Sequence, residues 1–389
     1  MAASPVPVFK RDRLTWVVYS LLGFFALIQS SLGPIMPYLR EEMGLSYTVG
    51  GMHVTAFAIG MVVASLTAAR LTARLGRRLL FWGGALGMAA GGGLIAIGQI
   101  APVTIFGALL MGYLGTYLIV TIQAVLSDWH GIYRATALTE ANIVASILAA
   151  LSPVVVAFGA STSITWRLVY IVAGLFWVGL YATQRGVTIP RSKQKPSQDI
   201  NKKTKLPKIF WLVWLVLSIG VALEWSMVAW TADYLVSTAG MATERAAAMV
   251  SIVLGAMIVG RLIASVLTRR FSSHVLMWLA ILMMGIGFPL LISQTNEATT
   301  VIGLFLCGTG IANMFPLGLA IASDIGAESP DLASSRVALA AGLAILLAPQ
   351  LLGSLADQIG ITSAYGFIGL LWVAFTVTFA ASFVFNRQR

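Results

Sequence analysis

The chain is poor in the residues from which disulfide frameworks, metal centres and soluble surfaces are built. Its 389 residues include one cysteine, three histidines and 14 acidic residues, and only 10% of positions are charged. A single cysteine, Cys307, excludes an intrachain disulfide framework and a cysteine metal site. His53 and His130 are isolated from other ligand types at ligand spacing, so no metal and no cofactor are expected. His53 reads as a packed, neutral side chain. The sequence also lacks a Walker-type phosphate loop and a nucleophile beside a base, so neither ATP hydrolysis nor other enzymatic chemistry is expected. A soluble domain carries about 25% charged residues. This chain does not have enough charge to cover itself with a wettable surface.

What it has instead is apolar length. Hydrophobic residues make up 58% of the chain and the mean hydropathy is +0.89. They fall in successive runs of about 20 residues, the number a helix needs to cross about 30 Å of hydrocarbon. Inside a bilayer the backbone must satisfy its own hydrogen bonds, and runs this long, without ten-residue alternation, predict helices and not a barrel. Twelve spans are read near 14–38, 46–70, 79–98, 102–126, 136–158, 167–184, 209–235, 243–268, 274–294, 299–323, 333–356 and 362–385. Glycines around Gly91–Gly93 predict close helix packing.

The formal net charge of +11 sits between the spans and makes no basic face for nucleic acid. Lys10, Arg11, Arg13, Arg70, Arg74, Arg77, Arg78, Arg269, Arg270, Arg387 and Arg389 fall on the side of the termini, against Arg40, Arg167 and Arg245 on the other. The positive-inside rule then puts both termini in the cytoplasm. No cleavage site follows the first run, which is read as a retained span. The longest polar stretch, residues 185–208, carries Lys202, Lys203, Lys205 and Lys208 and reads as a solvated cytoplasmic linker, with anionic lipid the alternative contact.

The sequence also repeats. Gly76 and Ser272, Asp128 and Asp324, and Pro153 and Pro349 are each 196 positions apart, about half the chain. Three landmarks on one offset predict duplicated six-helix halves. The expected fold is therefore an all-α membrane protein of twelve transmembrane helices in two pseudo-symmetric bundles, residues 1–184 and 209–389, joined by the linker 185–208.

Twelve spans, a basic loop between spans 2 and 3, a long central loop and the duplication together resemble the major facilitator superfamily. Its signature G-x-x-x-D-R-x-G-R-R aligns with residues 69–78, where Arg74, Gly76, Arg77 and Arg78 match and Ala69 and Ala73 stand at the Gly and Asp positions. The end of span 11, PQLLGSLADQIG, is similar to the family's usual pattern, whereas span 5 keeps Pro153 without the paired glycines common in proton-driven drug exporters. The resemblance implies a secondary transporter of a small molecule working by alternating access, with a cavity lined mainly by spans 1, 4, 7 and 10. It directs attention to Gln29, Tyr113, Tyr117, Gln123, Trp225 and Asn313 as substrate contacts, whose amides and phenols offer directed hydrogen bonds beside aromatic walls. For Tyr117 and Trp225, pocket and packing roles both stand.

A charge at the bilayer centre costs at least about 2.5–3.5 kcal/mol, so an ionisable group there is a functional candidate with an expected partner. Glu224, mid-span in VALEWSMVAW, is the candidate for proton coupling. Arg261 is its candidate partner, or a fork for a substrate carboxylate, or a helix-end packing residue beside Gly260. Arg74, Arg77, Arg78, Asp128, Arg134 and Glu140, grouped near the termini side, read as gating or structural. The functional expectation is proton-coupled symport of a small organic solute, with an organic anion favoured by Arg261, by a monomer in contact with lipid in a bacterial or archaeal inner membrane. The alternatives are proton-driven export of amphipathic compounds and a non-transporting receptor. A channel would need a filter or a charged ring, and the sequence shows neither.

Overall fold

The structure is a computed structural model that describes residues 9–190, 206–326 and 330–387. In chain order its α-helices are α1 (Arg13–Gln29), α2 (Met36–Met43), α3 (Tyr47–Leu75), α4 (Arg77–Ile97), α5 (Ala101–His130), α6 (Arg134–Ala160), α7 (Leu168–Gln184), α8 (Lys208–Ala239), α9 (Thr243–Leu267), α10 (Ser273–Ser293), α11 (Glu297–Ile325), α12 (Pro330–Ile359), α13 (Ile361–Ala364) and α14 (Gly366–Arg387). Ten of these segments are long and apolar enough to cross a membrane, and the shorter apolar helices α1 and α7 bring the number of spans to the expected twelve. Of the linker, residues 191–205 lie outside the described residues, with Lys202, Lys203 and Lys205 among them. Arg389 lies outside them too.

Local chemistry accounts for the helix ends. Asp12 caps α1 by accepting from Thr15 N at 2.9 Å, Ser46 caps α3, Ser272 caps α10, and Asn296 with Thr299 forms a capping box on α11. Gly76, at φ +79°, makes the one-residue joint between α3 and α4 that a side chain would strain. The expected span 14–38 is not one helix. It stops at Gln29 and resumes as α2, because the chain carries Gly33 and Pro34 there. Proline has no N–H to continue the ladder. A Cβ on Gly33 would lie 2.0 Å from the carbonyl oxygen of Val228, so only glycine lets this turn rest on the backbone of α8.

Two sets of helices emerge from the packing. α1, α4, α5, α6 and α7 pack among themselves, with α3 against α5, and α8 to α12 and α14 do likewise. The glycine-rich face of α4 does what its sequence suggests: a Cβ on Gly91 would meet Gly107 O at 2.6 Å, so α4 and α5 touch backbone to backbone. Between the sets the main contacts are α3 with α12, α6 with α9, and α2 with α8. The first two pairs are equivalent under the 196-residue offset, as a pseudo-two-fold axis between duplicated halves requires.

Candidate functional site

The contacts between the halves are distributed unevenly along the spans. Among the described residues, the hydrogen bonds that cross from one half to the other gather at the face opposite the termini, called here the far face. Arg40 of α2 donates to Asp233 Oδ1 of α8 at 2.5 Å. Its guanidinium also stacks on the Tyr47 ring, 3.3 Å from the centroid. Asp357 of α12 accepts from Tyr47 N and Thr48 N at 2.7 and 2.8 Å. Gln350 donates to Thr48 O at 3.2 Å, and Thr55 donates to Leu346 O at 3.1 Å. Toward the termini face the same helices become exposed: Arg70 and Arg74 on α3, Arg261, Leu262 and Ile263 on α9, and Arg336 on α12. The hydrogen bonds between the halves therefore seal the far face, and none among the described residues joins the halves at the termini face.

Just inside the seal, Trp225 of α8 meets Phe57 of α3 across the halves, with ring centroids 6.1 Å apart. This pair is an aromatic contact between the halves. Glu224 is half-buried at mid-length of α8, between Leu223 and Met227 that are fully buried. Its carboxylate lies within electrostatic reach of Arg261, and the two make no ion pair within 4 Å among the described residues. A carboxylate so placed feels a cation without being fixed to it, and a proton or an anionic solute can alter that balance.

Arg261 is held by its stem. Gly260 lets α9 approach α11, where a Cβ would meet Thr309 O at 2.8 Å. Arg261 Nε points to Ala312 O at 3.4 Å, and Asn313 Nδ2 donates to Gly260 O at 3.0 Å. Packing at the glycine and an exposed guanidinium therefore coexist. Gln29 and Tyr113 are half-buried and Gln123 is exposed.

Tyr117 sits differently. It is 1% exposed, shares a hydrogen bond of 2.6 Å with Thr67, and packs with Ala64, Ala68 and Leu80. In this conformation it offers no surface to a solute. His53 is likewise a core residue, bonded to Thr104 at 2.8 Å and to backbone carbonyls on α3.

The residues assigned to gating form a separate group at the termini face, and their bonds among the described residues include several within the first half. Arg11 grips Glu140 with two hydrogen bonds of 2.8 and 2.6 Å, which hold the guanidinium pKa above its usual value. Tyr19 adds a third bond to Glu140 at 3.2 Å. Arg77 pairs with Asp128 at 2.7 Å, and Arg78 donates to Arg185 O at 2.6 Å. Asp12 is partly buried, which opposes ionisation, but donors from Thr15 and Trp129 prevail and keep its pKa below the usual carboxylate value. Arg74 and Arg134 are exposed. These bonds tie α1, α4, α5, α6 and α7 together.

Sequence reasoning placed Arg40 on the side opposite the termini and gave Asp233 and Asp357 no role. A signal was present. Under the 196-residue offset Arg40 corresponds to Val236, one helical turn from Asp233, so opposite charges occupy nearly equivalent places on duplicated helices that meet at the pseudo-two-fold axis. A surface cavity of about 530 Å³ lined by Thr238, Gly240, Arg245, Gln294 and Glu297 lies among far-face loops of the second half, apart from these residues.

A sequence model described as Major Facilitator Superfamily matches residues 18–326. An uncharacterised MFS-type transporter of Yersinia pestis is 23% identical over 372 residues, covering 91% of this chain and 92% of its own. The uncharacterised transporter YycB of Bacillus subtilis is 23% identical over 371 residues, covering 91% and 90%. Among solved structures, a bacterial homologue of the lysosomal transporter Spinster, inward-facing and unoccupied, superposes with TM-score 0.78 at 13% identity, covering 97% of this chain and 98% of that one. The nucleoside transporter NupG gives 0.79 at 14% identity, covering 95% and 99%. A D-xylose–proton symporter gives 0.74 at 14%, covering 94% and 96%. At these identities the structural likeness speaks for the fold.

Proposed function

The chain belongs to the Major Facilitator Superfamily and is an integral membrane transporter, and from that premise we propose that it carries a small organic anion together with a proton. The observation that carries this reading is Glu224: a half-buried carboxyl group at mid-span, within electrostatic reach of the exposed Arg261 and without a hydrogen bond or ion pair among the described residues. In the proposed cycle Glu224 takes the proton and Arg261 takes the solute's negative charge, each weakening the attraction that the other provides. Gln29, Tyr113, Gln123, Trp225 and Asn313 supply polar and aromatic contacts around them. With the termini read as cytoplasmic, a sealed far face corresponds to a cytoplasm-open state, and in the proposed cycle closing the termini face while the seal opens completes alternating access.

The energetics set the size of the effect. One proton moving down a gradient of one pH unit supplies about 1.4 kcal/mol, enough for about tenfold accumulation of a co-transported solute. In proteoliposomes screened with radiolabelled carboxylates, the unsubstituted protein is expected to accumulate its solute when the pH gradient is imposed. Glu224→Gln is expected to equilibrate the solute without concentrating it. Gradient-driven accumulation that survives Glu224→Gln would remove Glu224 from the coupling role. Affinity for anionic solutes that survives Arg261→Ala would remove Arg261 from binding, and flux only out of the cytoplasmic side in inverted vesicles would replace symport with export.

A further inference from the structure

The N-terminus of α3 is capped from the other half of the molecule. A helix begins with N–H groups that have no partner of their own, and it carries partial positive charge there. Ser46, the local cap, accepts only from Val49 N, at 3.3 Å. The N–H groups of Tyr47 and Thr48 go instead to the two oxygens of Asp357, a residue about 310 positions away on α12. The fit is prepared by the ridge that carries Asp357. One turn earlier stands Gly353, where a Cβ would lie 2.7 Å from Tyr47 O, and one turn before that Gln350 bonds Thr48 O. Gly353 brings α12 against the start of α3, and the carboxylate then spans the last gap. Two charge-assisted bonds to a helix end exceed a neutral pair in strength.

The termini face has no equivalent in the loop that joins α3 to α4. Where the family's signature has an aspartate, this chain has the exposed Ala73, and the surrounding positions are Arg70, Arg74, Arg77 and Arg78. A carboxylate bridge from one half to a helix end of the other is therefore built at the far face, and this loop cannot supply its counterpart.

We propose that Asp357 is a conformational latch: by capping α3 across the interface it biases the resting transporter toward the state closed at the far face, and its release accompanies opening. The proposal uses the alternating-access reading for its consequence alone, because the conformation can be measured with no solute and no proton gradient. Failure of the latch would thus leave the transport reading standing, and failure of proton coupling would leave the latch.

The test is accessibility to a membrane-impermeant maleimide in a Cys307→Ala background, which removes the buried native thiol. Thr55→Cys, which removes one bond of the seal in every sample and so serves as a fixed background, reports the far-face interface, and Gln123→Cys reports an exposed position on the termini side. In separate vesicle orientations each is labelled with and without Asp357→Asn. A helix cap contributes about 1 kcal/mol, so Asp357→Asn is expected to speed labelling at position 55 by roughly fivefold and to slow it at position 123. Asp357→Glu, which keeps the charge, is expected to fall between the two. An unchanged rate at position 55 would overturn the latch, and so would faster labelling at both positions, which marks a loosened fold and no shift between states.

Discussion

The two faces of this transporter use ionic contacts in opposite ways. At the far face, Arg40–Asp233 and the Asp357 cap on α3 cross from one half to the other. At the termini face, Arg11–Glu140 and Arg77–Asp128 remain inside the first half. In the alternating-access cycle proposed above, a contact inside a half strengthens a body that moves as a unit, whereas a contact between halves must break each time the molecule changes state. The difference separates residues that hold the fold from residues that set the conformational balance. Glu140, a polar group one to two turns into a span, has its oxygens taken up by Arg11 and Tyr19 of the same half.

The largest effect is expected at Asp233. Its side chain is 2% exposed and that of Arg40 17%. Removing one member of a buried pair leaves the other charge unpaired, a cost of about 3–5 kcal/mol. Asp233→Ala is expected to lower the thermal midpoint in detergent strongly and to open the far face to labelling, and Arg40→Ala with Asp233→Ala should recover part of the loss. A double variant no better than the single one would show that the pair is not the source of the effect. Arg77→Ala sharpens the contrast. The Arg77 side chain is 6% exposed, so a loss of about 2–3 kcal/mol in stability is expected, with far-face labelling unchanged. A shift in labelling would mean that contacts within a half also govern the state.

The smallest effect concerns Glu42, which joins Arg167 and Trp166 within the first half at the far face. Partial burial raises its pKa, but the bonds from Arg167 and Trp166 outweigh this and bring it below the usual carboxylate value. A carboxyl whose pKa is depressed by folding stabilises the protein above its unfolded pKa, and that contribution fades as pH falls through the lower folded value. Both side chains are about a third exposed, so the pair contributes at most about 1 kcal/mol. Thermal midpoints measured from pH 7 down to pH 3 should therefore converge for the unsubstituted protein and Glu42→Gln at the acid end, and a constant gap would contradict the assignment.

Span number, helix type and the duplication were legible in the sequence because the bilayer imposes length and internal hydrogen bonding on every span. The break at Gly33–Pro34 was less so: proline and glycine are visible, but the backbone of α8 that makes glycine necessary is about 195 residues away. Glu224 stood out because a carboxylate is rare at mid-span. Arg40, Asp233 and Asp357 lie near span ends, where charge is common and carries little signal by itself. Their meaning depends on which helices meet across the pseudo-two-fold axis. Tyr117 shows the converse, since an aromatic hydroxyl inside a lining helix can as easily be satisfied by a neighbour such as Thr67 as by a solute.

The most direct test of a sealed far face and an open termini face is the distance across each mouth, read by pulsed electron paramagnetic resonance in lipid nanodiscs. Spin labels at positions 41 and 237 span the far mouth, and labels at 74 and 269 span the other, all in Cys307→Ala. The expected result is a short, narrow distribution at the far mouth and a long, broad one at the termini mouth, with Asp233→Asn lengthening the first while shortening the second. Mouths that lengthen together, or a far mouth that stays closed when its carboxylate is neutralised, would contradict the account.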